Sequence, residues 1–280
     1  MQSSDSVSGI AATEEDWNIV RETAERAERQ GLDTVPIGDA VAEVGLFFVG
    51  TPYRPQTLEL PGPERLVVNL RALDCVTLVE TALAIVHTIR EPGSVAAWSE
   101  EELRSTYADA LRTLRYRSGD LEGYPSRLHY FSDWIRDAEE KGLVDDVTPG
   151  LGGIPDSTAL DFMSTHPDAY RRLGDPAVLE EIRRTEARLS EHPRIFVPED
   201  RIAEVAPGIR DGDIIAATST VEGLDIAHTG IALWRDGSLH LLHAPLVGDS
   251  VQLSPQTLAR RIAEIESQDG IMVARPTGGR

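Results

Sequence analysis

Apolar residues along the first two thirds of the chain recur every three or four positions, the spacing of amphipathic helices. This spacing predicts helices over residues 13–30, 37–48, 98–115, 126–141 and 176–191, and one more that starts at Cys75. Thr13, followed by acidic residues, is typical of a capping box at a helix start, and Gly31 is typical of a helix end. Ser126 and Gly142 are predicted to bound the 126–141 helix in the same way.

The pattern changes near residue 194, where short β-branched runs separated by turn residues replace the helical spacing. These predicted strands are RIFVP at 194–198, GDIIAAT at 212–218, DIAHTGIALW at 225–234, SLHLLHAP at 238–245, SVQLS at 250–254 and GIMVARP at 270–276. ERLVVNL at 64–70 also resembles a strand, and 149–155 resembles a loop. Helices first and strands later favour an α+β fold around an antiparallel sheet. Because no long linker separates the halves, we predict a single domain over 1–280 with an N-terminal helical segment at about 13–48.

Charge and composition argue against several classes of binding partner and site. The 280 residues include 27 Lys and Arg against 47 Asp and Glu, a net charge of −20 that repels nucleic acid and anionic membranes. No apolar run reaches the ~20 residues that span a bilayer, so no membrane insertion is expected. No basic-then-apolar start marks a signal peptide in this chain. A single cysteine excludes an internal disulfide framework and a cysteine-cluster metal site.

That single cysteine, Cys75, stands at the predicted start of a helix. Asp74 is suited to cap the helix, which would place Cys75 in the first turn. Unpaired N–H groups and the helix dipole favour a thiolate there and are expected to lower the pKa below its usual value of ~8.5. The alternative is a cysteine that only packs in the core, since free cysteine is among the most buried residue types. A catalytic cysteine needs a histidine nearby that acts as a base, so the positions of the histidines distinguish the two alternatives.

A predicted hairpin fixes how three of the seven histidines lie. Asp236 and Gly237 are a strong signal for a two-residue type I′ turn, which makes Arg235 face Ser238. The pairing of every other residue of the two strands follows from that register.

In this register Gly230 faces His243, and His228 lies two positions along the strand on the same face. His228 and His243 are then diagonal neighbours, about 7–8 Å apart between backbones, within reach of their rings. His240 points to the other face. We therefore predict that His228 takes the thiol proton of Cys75 and that His243 orients it, without a metal or cofactor. Backbone N–H groups at the helix start, with Tyr53 as an extra donor, would form the oxyanion hole.

Several blocks of the chain resemble a known family. DCVTLVE at 74–80, HTGIA at 228–232 and HAP at 243–245 are similar to the pattern of the NlpC/P60 family. A closer resemblance is to its DUF1460 subfamily, the N-acetylmuramoyl-L-alanine amidase-like proteins. The blocks that carry it are GTPY at 50–53, LVVNLRALDCVTLVET at 66–81, RYRSG at 115–119, SRLHYFSDWI at 126–135, DFMSTHPDAY at 161–170, DGDIIAATS at 211–219 and LDIAHTGIAL at 224–233.

The resemblance implies a papain-like α+β fold, with Cys75 as nucleophile, His228 as base and His243 as third residue. It implies hydrolysis of peptidoglycan or muropeptides outside the cytoplasm, in the periplasm or the medium, and it leaves the oligomeric state open. Since stem peptides carry carboxylates, Arg127 is predicted as a bidentate clamp. Further polar contacts to the substrate are predicted from residues of the same motifs: Asn69, Asp74, Ser126, His129 and Ser164.

Four functions remain open at this point. The DUF1460 resemblance implies cleavage of the amide between the muramic acid lactyl group and L-alanine. The broader NlpC/P60 resemblance allows an endopeptidase that cuts between D-glutamate and diaminopimelate. The third is a zinc hydrolase that uses His228, His243 and an acidic residue, but no HExxH-like spacing supports it. An inactive peptidoglycan-binding module is the fourth, against which the intact set of Cys75 and the two histidines argues.

Overall fold

The computed structural model describes residues 9–278, with helices concentrated before residue 190 and strands after it. The α-helices are α1 (Glu14–Arg29), α2 (Ile37–Phe47), α3 (Cys75–Ile89), α4 (Glu100–Arg115), α5 (Phe131–Glu140), α6 (Phe162–Thr165), α7 (Pro176–Ser190), α8 (Ile202–Val205) and α9 (Leu258–Ala263). The strands are β1 (Ile10–Ala11), β2 (Leu66–Val67), β3 (Val144–Asp146), β4 (Ile154–Asp156), β5 (Arg194–Pro198), β6 (Ile214–Ser219), β7 (Ile226–Arg235), β8 (Ser238–His243), β9 (Gln252–Leu253) and β10 (Gln268–Pro276). This composition confirms the predicted α+β class.

The principal sheet is antiparallel and contains most of the strands. Its order is β4–β5–β10–β6–β7–β8–β9, and β3 pairs with β10 beside this path. The strand runs predicted from residue 194 onward lie in β5 to β10, as expected. The strand predicted at 64–70 is shorter, because only Leu66–Val67 finds a partner, the two-residue strand β1.

Alternating residues of the sheet enter two separate cores. One face, represented by Ile214, packs on α1 to α5 in the larger core. The opposite face, represented by Ile215, packs on α8 and α9 through Ile202, Leu258 and related side chains. The sheet is therefore the middle layer, with α3 on one side and α9 on the other. This arrangement positions the candidate site, because α3 begins beside β7.

The β7–β8 hairpin has the predicted register. Arg235 pairs with Ser238 and Ile231 with Leu242, which extends the pairing expected from the sequence. Asp236 and Gly237 have φ values of 51° and 75°, both in the left-handed region that a type I′ turn requires. The turn residues thus set which side chains of the two strands meet.

The helix predicted over 126–141 starts later than expected. Helix α5 begins at Phe131, because Ser126 ends a short 3₁₀ turn, where its hydroxyl donates to the Gly123 carbonyl at 2.8 Å. Arg127 is extended and forms a β-bridge with Tyr116. A tertiary pairing that the local sequence does not encode thus prevents the helix from starting at Ser126.

No helix in the part of the chain that the structure describes combines the length and the apolar composition needed to cross a membrane.

Candidate active site

Cys75 is the first residue of α3, and Asp74 caps the helix as predicted. The Asp74 carboxylate accepts the backbone N–H of Thr77 at 2.8 Å, and the Thr77 hydroxyl in turn accepts the Asp74 N–H at 2.8 Å. This capping box fixes the entry of the chain into the helix. The N–H of Cys75 itself makes no hydrogen bond to any described residue. It is therefore a free donor at the positive end of the helix.

The protonation state of Cys75 differs from the prediction. Burial and, next in size, the Asp74 carboxylate raise the pKa of the Cys75 thiol to about 11. The backbone N–H and hydroxyl of Thr229, the neighbour of His228 on β7, lie near the sulfur and lower the pKa only in part. The expected lowering by the helix start is outweighed by desolvation and by the capping charge. Cys75 is consequently a neutral thiol at pH 7.

His228 and His243 form a hydrogen-bonded pair. Nε2 of His228 lies 2.8 Å from Nδ1 of His243, and the ring planes are nearly perpendicular at 87°. The hairpin register places them there, since His228 pairs with Ala217 and His243 follows Leu241 on the same face of the sheet. His228 Nδ1 makes no hydrogen bond within the described residues, nor does Cys75 Sγ bond to His228. The His228 ring is therefore held through Nε2, and its Nδ1 is available to accept a proton.

Both imidazoles are neutral at pH 7. Burial lowers the pKa of His228 well below its usual value, and His243 and Arg261 lower it further. Burial, then Arg261, lowers the pKa of His243 to about 3. One ring must therefore donate and the other accept across their hydrogen bond.

Tyr53 lies beside Cys75, as the oxyanion-hole prediction requires. Its backbone bridges to Leu73, and its N–H donates to the Asp249 carbonyl at 2.8 Å. Burial raises the pKa of Tyr53, and the neighbouring Cys75 and Asp74 add to the effect. Its hydroxyl is thus a neutral donor whose pKa responds to the charges of Cys75 and Asp74.

Arg127 is placed differently from its predicted role as a substrate clamp. The side chain is only 6% exposed and forms an ion pair with Glu59. Its Nη1 lies 3.5 Å from Glu64 Oε1 and donates to the Leu58 carbonyl at 3.1 Å. The guanidinium also lies over the Tyr124 ring, 4.8 Å from its centroid. The guanidinium thus donates to groups inside the protein, and its role as a substrate clamp stays a prediction.

The other predicted substrate contacts also have internal partners. His129 Nε2 lies 2.9 Å from the Tyr124 carbonyl, and Ser126 belongs to the turn described above. The Ser164 hydroxyl donates to the carbonyl of Asp161, the residue before its short helix, at 3.3 Å, and its N–H donates to Glu186. Asn69 accepts the Arg71 N–H at 3.2 Å. These contacts hold loops in place, and the substrate-binding roles of the four residues stay predictions.

Arg261 of α9 belongs to the surroundings of the site, although the sequence analysis did not select it. Its charge lowers the pKa of both histidines and interacts with Cys75. The available sequence signal was its position three residues after Leu258 and directly before Ile262, two buried positions of the same helix.

The described part of the chain contains no cluster of three or more His, Cys, Asp or Glu side chains arranged to hold a metal ion. His228 and His243 bond to each other instead of converging on a common point.

Comparison with known proteins assigns the family. The model of the N-acetylmuramoyl-L-alanine amidase-like family matches residues 43–271, a span that includes Cys75, both histidines and Arg261. The chain therefore belongs to this family, an amidase-like class of hydrolases. No curated protein matches the chain.

Solved structures resemble the chain over nearly their whole length. An N-acetylmuramoyl-L-alanine amidase from Bacteroides uniformis is 35% identical, with a TM-score of 0.79 over 86% of this chain and 98% of its own. A putative xylanase from Bacteroides fragilis is 38% identical, with a TM-score of 0.76 over 82% of this chain and 98% of its own. A Legionella pneumophila protein described as DUF1460 is 18% identical and shares the fold, with a TM-score of 0.70 over 95% and 96% of the two chains. The DUF1460 description agrees with the resemblance found in the sequence.

Proposed function

We propose that the protein is a cysteine-dependent amidase that hydrolyses the bond between the N-acetylmuramoyl lactyl group and L-alanine of peptidoglycan fragments. The observation that carries the proposal is the hydrogen bond between His228 on β7 and His243 on β8, with Thr229, the next residue after His228, near Cys75. Family membership and the amidase from Bacteroides uniformis support the same bond. The substrate places this activity in the periplasm or outside the cell.

His228 is the general base in this mechanism. For its Nδ1 to accept a proton, Nε2 must carry hydrogen and donate it to His243 Nδ1. His243 thereby fixes the tautomer of His228 and stabilises the imidazolium that forms. Substrate binding has to bring His228 Nδ1 within hydrogen-bond reach of Cys75 Sγ, since catalytic hydrogen bonds are often longer in the free enzyme.

The reaction proceeds through a thioester. As Cys75 Sγ bonds to the lactyl carbonyl carbon, its proton passes to His228 Nδ1 and the carbonyl oxygen becomes an oxyanion. In this proposal the free N–H of Cys75 and the Tyr53 hydroxyl stabilise that oxyanion. When the C–N bond breaks, His228 returns the proton to the amine of L-alanine. Water then attacks the thioester carbonyl and gives one proton to His228. As the C–S bond breaks, His228 passes that proton to the sulfur, which releases the carboxylic acid and restores the thiol.

A cysteine at a helix start and histidines on a sheet support the proposed papain-like mechanism of the NlpC/P60 proteins. Because the acyl group and the thiol carry the chemistry, no metal or cofactor takes part in this proposal. The name of the Bacteroides fragilis structure describes that protein, and the thiol and imidazoles proposed here differ from the pair of carboxylates that most glycoside hydrolases use.

Mass spectrometry of products from a defined N-acetylmuramoyl tetrapeptide tests the proposal. We expect free N-acetylmuramic acid and the intact stem peptide from the wild-type protein, and neither product from Cys75→Ala. N-Acetylmuramoyl-L-alanyl-D-glutamate with a peptide beginning at diaminopimelate would replace the amidase by the endopeptidase. Binding without turnover would identify a peptidoglycan-binding module. Turnover by Cys75→Ala that a chelator abolishes would identify a metal hydrolase.

A further inference from the structure

We propose that Arg261 binds the carboxylate of the stem peptide that lies nearest to the scissile bond. This inference rests on the proposed function and adds the side chain that selects the substrate. In a stem peptide whose D-glutamate is linked through its side chain, the α-carboxylate of that residue is the first negative charge after L-alanine. It is therefore the group expected beside the reacting atoms.

The position of Arg261 follows from the packing of α9. Leu258 and Ile262 of this helix are buried against Leu241, on the sheet face to which the register assigns His228 and His243. Arg261, between the two anchoring residues, is half-buried. The helix thus carries a cation to the histidine face of the sheet.

The guanidinium of Arg261 lacks a carboxylate partner within residues 9–278. Its hydrogen bond goes to the neutral amide oxygen of Gln268, at 3.2 Å. By contrast, the half-buried Arg275 is neutralised by the Asp213 carboxylate at 2.7 Å. In a chain of net charge −20, a partly desolvated arginine without a counter-ion is suited to bind an anion from outside.

Arg261 acts on the reacting groups through its positive charge and forms no hydrogen bond with them. It disfavours protonation of His228 and His243, and Cys75 interacts with it in turn. A substrate carboxylate at Arg261 would lie on the histidine face of the sheet and leave the His228–His243 hydrogen bond intact. It would also cancel the positive field that disfavours imidazolium, so that correct binding makes His228 a stronger base.

The adjacent residue provides a matched control. Arg260 is exposed and forms an ion pair with Glu264 at 2.6 Å, one turn along the same helix. Arg260→Gln removes the same charge from the same helix without touching the site. Arg261→Gln removes the proposed anion-binding group, and Arg261→Lys keeps its charge.

The experiment compares two N-acetylmuramoyl tripeptides that differ only in the D-glutamate α-carboxylate, free in one and a carboxamide in the other. For Arg261→Gln we expect KM to rise about tenfold or more with the free carboxylate, the loss typical of a charged hydrogen bond. KM for the carboxamide should change little, Arg261→Lys should recover part of the affinity, and Arg260→Gln should behave as wild type with both substrates. An equal loss with both substrates, or a fall in kcat with unchanged KM, would overturn the proposal.

Calorimetric binding to Cys75→Ala separates this proposal from the proposed function. Arg261→Gln in that background should weaken binding of the free-carboxylate tripeptide and leave the carboxamide unaffected, whether or not the wild type turns over. If binding depends on Arg261 but the wild type does not turn over the substrate, the amidase proposal fails and the anion site stands. If the wild type turns over the substrate but binding does not depend on Arg261, the anion site fails and the amidase proposal stands.

Discussion

At Cys75 two opposing effects meet in one residue. Its position at the helix start and the polar groups of Thr229 favour the thiolate, whereas burial and the Asp74 carboxylate favour the thiol. Burial and the Asp74 carboxylate have the larger effect, and the pKa of the Cys75 thiol rises to about 11. The free protein therefore differs from cysteine enzymes that rest as a thiolate–imidazolium pair. Deprotonation has to accompany attack on the substrate.

Alkylation of Cys75 should reflect this protonation state. With a pKa of about 11, roughly 10⁻⁴ of the thiol is ionised at neutral pH, so reaction with iodoacetamide should be slow there and accelerate at alkaline pH. The measurement is the alkylation rate against pH, followed by mass spectrometry. A rate that reaches its plateau near neutral pH would show that the thiolate forms without substrate.

The histidines of the hairpin should differ sharply in their effect on turnover. His228→Ala removes the base and should lower kcat/KM by about 10²–10⁴, the usual contribution of a positioned general base. His243→Ala should cause a smaller loss, because it removes only the partner of His228 Nε2.

His240→Ala is the control for this set, since its ring bonds to the Ser254 carbonyl at 2.9 Å on another face. Its kcat/KM should stay near the wild-type value. A damaging His240→Ala together with a silent His243→Ala would contradict the assignment of the pair.

At the scale of elements, the cap of α3 couples stability to reactivity. Asp74→Ala removes the acceptor of the Thr77 N–H and should lower the free energy of unfolding by about 1 kcal/mol. Asp74→Asn retains an acceptor and should cost only a few tenths of that. Both variants remove the charge that raises the pKa of Cys75, so both should be alkylated faster near neutral pH. Denaturant unfolding and alkylation rates measure the two effects, and an unchanged alkylation rate in both variants would contradict this role of the carboxylate.

The elements also show how far the sequence is predictive. The β7–β8 register followed from Asp236 and Gly237, because a two-residue turn is a local signal that fixes distant pairs. The start of α5 and the burial of Arg127 could not be derived in this way. Both depend on partners far along the chain: Tyr116 in the bridge, and Glu59 in the ion pair.

The candidate site also contains features that the local sequence predicts and features that depend on tertiary packing. Asp74 as cap and the meeting of His228 with His243 follow from local patterns. The raised pKa of Cys75 depends on tertiary burial, which the periodicity of α3 does not report. Arg261 was missed because its local sequence resembles that of the neighbouring Arg260, and only the packing of α9 distinguishes them.

At the scale of the whole molecule, buried neutral histidines link folding to pH. Burial lowers the pKa of His87 to about 4, and Nε2 of this ring is buried without a described partner. Below about pH 6.5 the histidine of the unfolded chain binds a proton, whereas the buried imidazole of the folded protein stays neutral until the pH is much lower. The stability that His87 contributes is thus complete above about pH 6.5 and is lost as pH falls toward 4.

His87→Gln should remove this dependence. Between about pH 6 and 5 the variant should lose less unfolding free energy than the wild type, by up to about 1.4 kcal/mol per pH unit. Urea unfolding at several pH values measures the difference. Because buried carboxylates such as Glu80 act in the opposite direction, the comparison between the two proteins is informative and the absolute slope is not. Parallel slopes would show that His87 titrates normally in the folded protein.

The most direct test of the account is the mass of the acyl group carried by Cys75 during turnover. Wild-type protein mixed with an N-acetylmuramoyl tetrapeptide and quenched in acid should gain the mass of one N-acetylmuramoyl group, mapped to the peptide that contains Cys75. His243→Ala, in which His228 lacks its partner in both steps, should form the same adduct more slowly. An adduct that includes L-alanine and D-glutamate, or turnover without any adduct on Cys75, would contradict the cysteine amidase.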